Sequence, residues 1–200
     1  VSCMAIDDVA SATDGKSRQR DRWIGVYIGA LAVILAICAM GGDNAAKNAT
    51  LKNIEASNIW SFFQAKNLRR QLVRTHNDDL EILLETTPTL TADQMKKIAD
   101  KIASNKAYDA KLTTDPASNE GLDELFKRGK ELEAARDLAM AQDPYFDYGQ
   151  ACLQIAIVLA SIAIIAGGSM LLVLSGLLGA LGIALTLNGF TMLVHLPWMG

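Results

Sequence analysis

Few residues in this chain could carry chemistry. His76 and Asp79, at i and i+3, have the spacing of two metal ligands on one helix, and the other histidine, His195, stands near the far end. A closed zinc site takes four ligands, and two do not make one. No P-loop, nucleophile elbow or Cys/His pairing occurs. His76 therefore reads as a solvated helix residue, and no catalytic residue, metal or cofactor is expected. The cysteines Cys3, Cys38 and Cys152 have no metal-type spacing. Cys38 and Cys152 lie at the ends of two apolar runs that antiparallel passage would bring to one face, as packed thiols or, alternatively, as a disulfide.

Three polar side chains, Gln150, Gln154 and Asn188, interrupt otherwise apolar sequence. Inside a bilayer such groups mark either a transport path or a hydrogen bond between helices. None is ionisable, and Gln150 and Asn188 fall at similar depth, so an interhelical bond is the expectation. The most particular polar-aromatic cluster is Glu55, Asn58, Trp60, Phe62, Phe63, Gln64 and Lys66. Trp and Phe anchor interfaces when a partner buries them, which makes the cluster a candidate docking surface. The other reading packs it against neighbouring helices, with Asn58 fixing register as a lone buried Asn does in a coiled coil.

The elements that must hold these residues are set by how charge is distributed. Residues 43–147 contain fifteen Lys or Arg and eighteen Asp or Glu, while residues 148–200 contain none. The two apolar runs 148–166 and 170–196, split at Gly167-Gly168-Ser169, are long enough to cross a hydrocarbon core with roughly 20 helical residues each. A third run, 23–42, follows Lys16, Arg18, Arg20 and Arg22. Basic residues before a span favour the cytoplasmic side. The run is too long for a signal-peptide core, and Leu35-Ala-Ile-Cys38 has Ile where a lipoprotein box needs a small residue. An uncleaved anchor is therefore expected. The net charge of −3 gives no basic field, which excludes nucleic acid as a partner.

The middle segment reads as helix. Leu51, Ile54, Phe62, Ala65, Leu68, Leu72, Leu80 and Leu83 recur at three- and four-residue steps and define an expected inward stripe. Thr87-Pro88 stops that helix, and Thr91-Ala-Asp-Gln94 is a capping-box signature for the next. Met95, Ile98, Ile102 and Ala103 line the second helix, which breaks around Asp115-Pro116. Leu122, Leu125, Phe126, Leu132 and Leu138 line a third, expected to end at Asp143-Pro144. The predicted fold is an all-α membrane protein. A tail (1–22) leads to transmembrane helix 1 (23–42), and an extramembrane antiparallel helical hairpin or coiled coil (43–147) leads to a C-terminal transmembrane hairpin (148–166 and 170–196). A kink at Asn77-Asp78-Asp79 is the route to a more compact bundle. Tyr145, Phe146, Tyr148, Trp23 and Trp198 are expected in the aromatic belts.

The segments IEASNIWSFFQAK (54–66), YFDYGQACLQIAIVLASIA (145–163) and LNGF (187–190) resemble a family of bacterial membrane proteins catalogued as a domain of unknown function. The resemblance implies one N-terminal and two C-terminal crossings around a helical middle, and no assigned activity. Seams of small residues point to association in lipid: Gly25 and Gly29 in the first span, Ala156, Ala160 and Ala163 in the second, and Gly176, Gly179 and Gly182 in the third. Partners are thus the bilayer and other membrane subunits or copies of the same chain. The expected role is a structural or accessory subunit of a membrane complex, for instance an energy-converting one, or a homo-oligomeric scaffold. The alternative is a sensor or transport-associated protein. The bacterial inner membrane is the expected location, with the N-terminus cytoplasmic and the helical domain periplasmic.

Overall fold

A computed structural model describes the backbone of residues 2–195 and the side chains from Gln19 to His195. All of its regular structure is helical: α1 (Ser2–Thr86), α2 (Ala92–Thr113), α3 (Leu122–Ala166) and α4 (Ser169–Thr191). Three of these helices, α1, α3 and α4, are long and apolar enough to cross a membrane. The chain divides into two compact units, one made of residues up to Asn48 with those from Leu138 onward, the other of Ala49–Asp137.

Helix α1 is uninterrupted from Ser2, so residues 2–22 are helical where a tail was expected. No proline precedes Pro88, and a nucleated helix propagates at little cost through Ala, Ser, Arg and Lys. The helix also continues through Asn77-Asp78-Asp79, without the break that the alternative, more compact bundle requires. The capping box at α2 forms as the sequence indicates: Thr91 accepts from the Gln94 backbone, and Gln94 accepts from the Thr91 backbone.

Pro144 does not end the third helix. It lies inside α3, where its ring forfeits one backbone bond and costs about 3 kcal/mol. The two residues that follow, Tyr145 and Phe146, are 2 % and 3 % exposed, and burying two such side chains returns roughly 2 to 3 kcal/mol each. The aromatic-belt expectation fails for both. Phe146 is enclosed by helix backbone, since a Cβ on Gly41 or Gly189 would lie within 2.5 and 2.9 Å of its ring. Tyr148 and Trp23 are exposed, and Trp198 lies outside the described residues.

The chain reverses between α3 and α4 at Gly167, whose φ of +67° suits a residue without a Cβ. Helix α4 stops at Thr191, short of the expected 196, with Met192 in the left-handed conformation and its N–H donating to the Asn188 carbonyl. That αL stop satisfies a helix-end carbonyl.

Candidate functional site

In the unit of residues 49–137, polar pairs run in opposite senses along the packed segments. Arg136 donates to Asn53 at 3.4 Å, Trp60 to Glu133 at 2.9 Å, and Lys66 to the Glu120 carbonyl. Farther along, Arg70 reaches Thr113 at 3.5 Å, Arg74 forms a two-toothed bond to Asp109 at 2.8 and 2.9 Å, and Asn105 donates to Asn77 at 2.9 Å. Trp60 sits at the centre of an aromatic knot, edge-on to Phe63 at 5.5 Å and to Phe126 at 5.6 Å. Gly129 admits it, because a Cβ there would be 2.9 Å from the indole. Lys130 lies 5.7 Å from the same ring.

These contacts split the predicted cluster. Trp60, Phe63 and Lys66 turn inward, whereas Glu55, Asn58, Phe62 and Gln64 are exposed. Asn58 therefore does not set the register inside this unit. That position belongs to Asn77, 6 % exposed and paired with Asn105, a residue at which the sequence suggests a kink only for the alternative, more compact bundle. The apolar stripe is likewise reversed: Leu51, Ile54, Phe62, Leu68 and Leu72 are 56, 52, 42, 59 and 63 % exposed. The inward seam instead follows Ala56, Phe63, Arg70, Asn77 and Leu84 at steps of seven, with Ala56 and Asn77 buried and the other three half-buried. Both seams have helical spacing. The choice between them is made by partners on α2 and α3 such as Gly129, Asp109 and Asn105. On those helices Ile102, Leu122 and Leu125 are buried, but Met95, Phe126 and Leu138 are exposed.

Hydrogen-bond donors lower two carboxylates here. The Lys130 ammonium, followed by the Trp60 indole, holds Glu133 below the usual glutamate range. The Ser118 hydroxyl lowers Asp115.

In the other unit, small residues are spent unequally. Gly182 meets Leu153 and the Gly149 carbonyl, and Gly179 meets Tyr27 and Leu31, so both are filled from within the chain. A Cβ on Gly25, Gly29 or Gly176 would meet nothing within 4 Å. Ala156, Ala160 and Ala163 are buried. Polar groups at helical depth find backbone partners: Tyr27 donates to the Ser175 carbonyl at 3.0 Å, Ser175 to Ala156 at 2.6 Å, and Cys38 to Phe146 at 3.3 Å. Cys38 and Cys152 are free thiols, not a disulfide.

Asn188 does not pair with Gln150. Because α4 ends three residues later, the Asn188 amide grips the returning chain, donating to the Val194 carbonyl at 2.8 Å and accepting from its N–H at 2.9 Å. Tyr145 adds a hydroxyl to the same carbonyl at 3.0 Å. Gln154 is exposed and Gln150 half-buried. His76, Asp79 and His195 are exposed, and among the described residues no group of three or more His, Cys, Asp or Glu converges.

This arrangement offers shaped helix faces. The family described as a domain of unknown function (DUF4337) matches residues 20–192. The chain belongs to that family. No curated protein and no solved structure matches it. The matched span of DUF4337 takes in the Trp60 knot, the buried glycines Gly179 and Gly182, and the Asn188 amide.

Proposed function

We propose that this protein is a non-enzymatic structural subunit of a bacterial inner-membrane assembly, and that it associates with copies of itself through the outer seam of α1. The observation that carries the reading is the exposure of Leu51, Ile54, Leu68 and Leu72 on a helix whose more polar seam is the buried one. Contiguous exposed apolar faces mark interaction sites.

The spacing selects the partner. Leu51, Asn58, Ala65 and Leu72 recur at steps of seven, with Ile54 and Leu68 at the intervening core positions of a heptad. Copies inserted in one membrane share a direction, so identical helices meet in parallel. In a two-fold pair, position 58 faces its own equivalent, and an amide carries both donor and acceptor, so Asn58 is complementary to itself. On one flank Thr50, Ser57, Gln64 and Gln71 are uncharged, so Glu55 and Arg69 on the other flank meet no like charge across the pair. Asp79, one heptad beyond Leu72, would face another carboxylate and closes the seam. Open glycines at Gly25 and Gly29 independently favour lateral contact in lipid.

In this reading residues 49–137 form an antiparallel helical hairpin outside the bilayer, on the periplasmic side. The basic residues before Trp23 support an N-terminus in the cytoplasm. Disulfide trapping tests the proposal. A cysteine at Ala65 should cross-link to its own equivalent in native membranes, while one at exposed Lys101 on α2 should not. Cross-links from Ala65 only to a different protein would favour an accessory subunit, and a monomer throughout would overturn both forms.

A further inference from the structure

Arg20, Trp23, Ile24 and Tyr27 on α1 and Leu172 and Gly176 on α4 line a groove of about 340 Å³. We propose that it binds an anionic phospholipid, with the Arg20 guanidinium taking the phosphate and the cleft between α1 and α4 taking an acyl chain. The proposal does not depend on self-association through α1.

The floor is apolar and its polar groups are already committed. Ile24 is 4 % exposed, and the Tyr27 hydroxyl is engaged by Ser175, leaving its ring toward the groove. Gly176 keeps the cleft open, since nothing lies within 4 Å of where its Cβ would be. Both walls belong to helices able to cross a membrane, so the groove opens onto hydrocarbon and its apolar occupant is a lipid tail.

The mouth carries positive charge. Arg20 is 45 % exposed and reaches Asp21 and the Gly167 carbonyl at 3.4 Å, contacts too long to saturate its five donors. Arg22 adds a second charge against the single Asp21. The Gly167 contact brings Arg20 to the start of α4, whose N-cap Gly168 provides no side-chain hydrogen bond. Backbone N–H groups at a helix start carry partial positive charge. Guanidinium and phosphate pair well through parallel bonds. Trp23, 68 % exposed, presents an amphipathic ring beside them.

The test uses the full chain in nanodiscs containing brominated-tail phosphatidylglycerol or phosphatidylcholine, with Trp23 quenching isolated by subtracting the Trp23→Phe variant. Half-maximal quenching should come at about fivefold lower mole fraction of the anionic lipid, the scale of one basic residue at an anionic surface. Arg20→Gln should abolish that preference while quenching persists. Gly176→Leu, which fills open space and should leave helicity unchanged, should weaken quenching by both lipids. Equal quenching by the two lipids, or an unaltered preference in Arg20→Gln, would overturn the proposal. Loss of the preference on adding millimolar inorganic phosphate to the wild-type chain would reassign the site to phosphate alone and overturn the lipid assignment.

Discussion

Asn77 on α1 and Asn105 on α2 join through their side-chain amides at 2.9 Å, and Asn77 is 6 % exposed. A buried amide stripped of its partner costs about 1 to 3 kcal/mol, whereas replacing both partners by apolar groups can be nearly neutral. Asn105→Leu should therefore lower the unfolding midpoint, and adding Asn77→Leu should recover most of the loss. A thermal double-mutant cycle reads the coupling, and additive losses would show that the amides do not act as a pair.

Gly129 exists for Trp60. A side chain there would enter the space of the indole, and overpacking costs about 1 to 3 kcal/mol. Gly129→Leu should destabilise residues 49–137 and red-shift Trp60 emission as the ring is expelled. An unchanged spectrum would mean the indole has another seat.

The glycines of the membrane helices should separate by role. Gly182→Val should impair folding, because Leu153 and a backbone carbonyl occupy the place of the added methyls. Gly25→Leu should leave the monomer intact in detergent and reduce only its association, measured by cross-linking in native membranes. Equal thermal losses in the two variants would contradict this division.

Low pH should weaken the unit of residues 49–137. Glu133 and Asp115 both have lowered folded-state values. Their contribution is present above the ordinary carboxylate range and is lost as pH falls through and below it. Because both groups are exposed to solvent screening, the effect of each is small. Glu133→Gln should flatten part of the acid limb of a stability profile, and a profile identical to wild type would rule Glu133 out.

Much of the architecture was legible in local sequence. Thr91 with Gln94 and the stop at Thr87-Pro88 follow from short-range chemistry and form where the spacing indicated, and the charge-free runs lie in three helices long and apolar enough to cross a membrane. The orientation of α1 was not legible, because two seams share the same period. The apolar one was the natural choice for the interior, yet Trp60, Arg70 and Asn77 are fixed by partners some 30 to 70 residues away in the chain, such as Asn105 and Gly129. Pro144 misled for a related reason: its local cost is certain, while the compensation from Tyr145 and Phe146 requires helices that meet only in three dimensions. Asn188 was placed by depth alone, without a signal that α4 would stop at Thr191.

The link between α3 and α4 is Gly167 and Gly168 alone. With so little slack, α4 must turn straight back alongside α3, and the two leave the turn as neighbours, with the Ser175 hydroxyl donating to the Ala156 carbonyl across them. A chain cut back to Ala166 would lose that companion and leave the small-residue flank of α3, Ala156, Ala160 and Ala163, uncovered on that side.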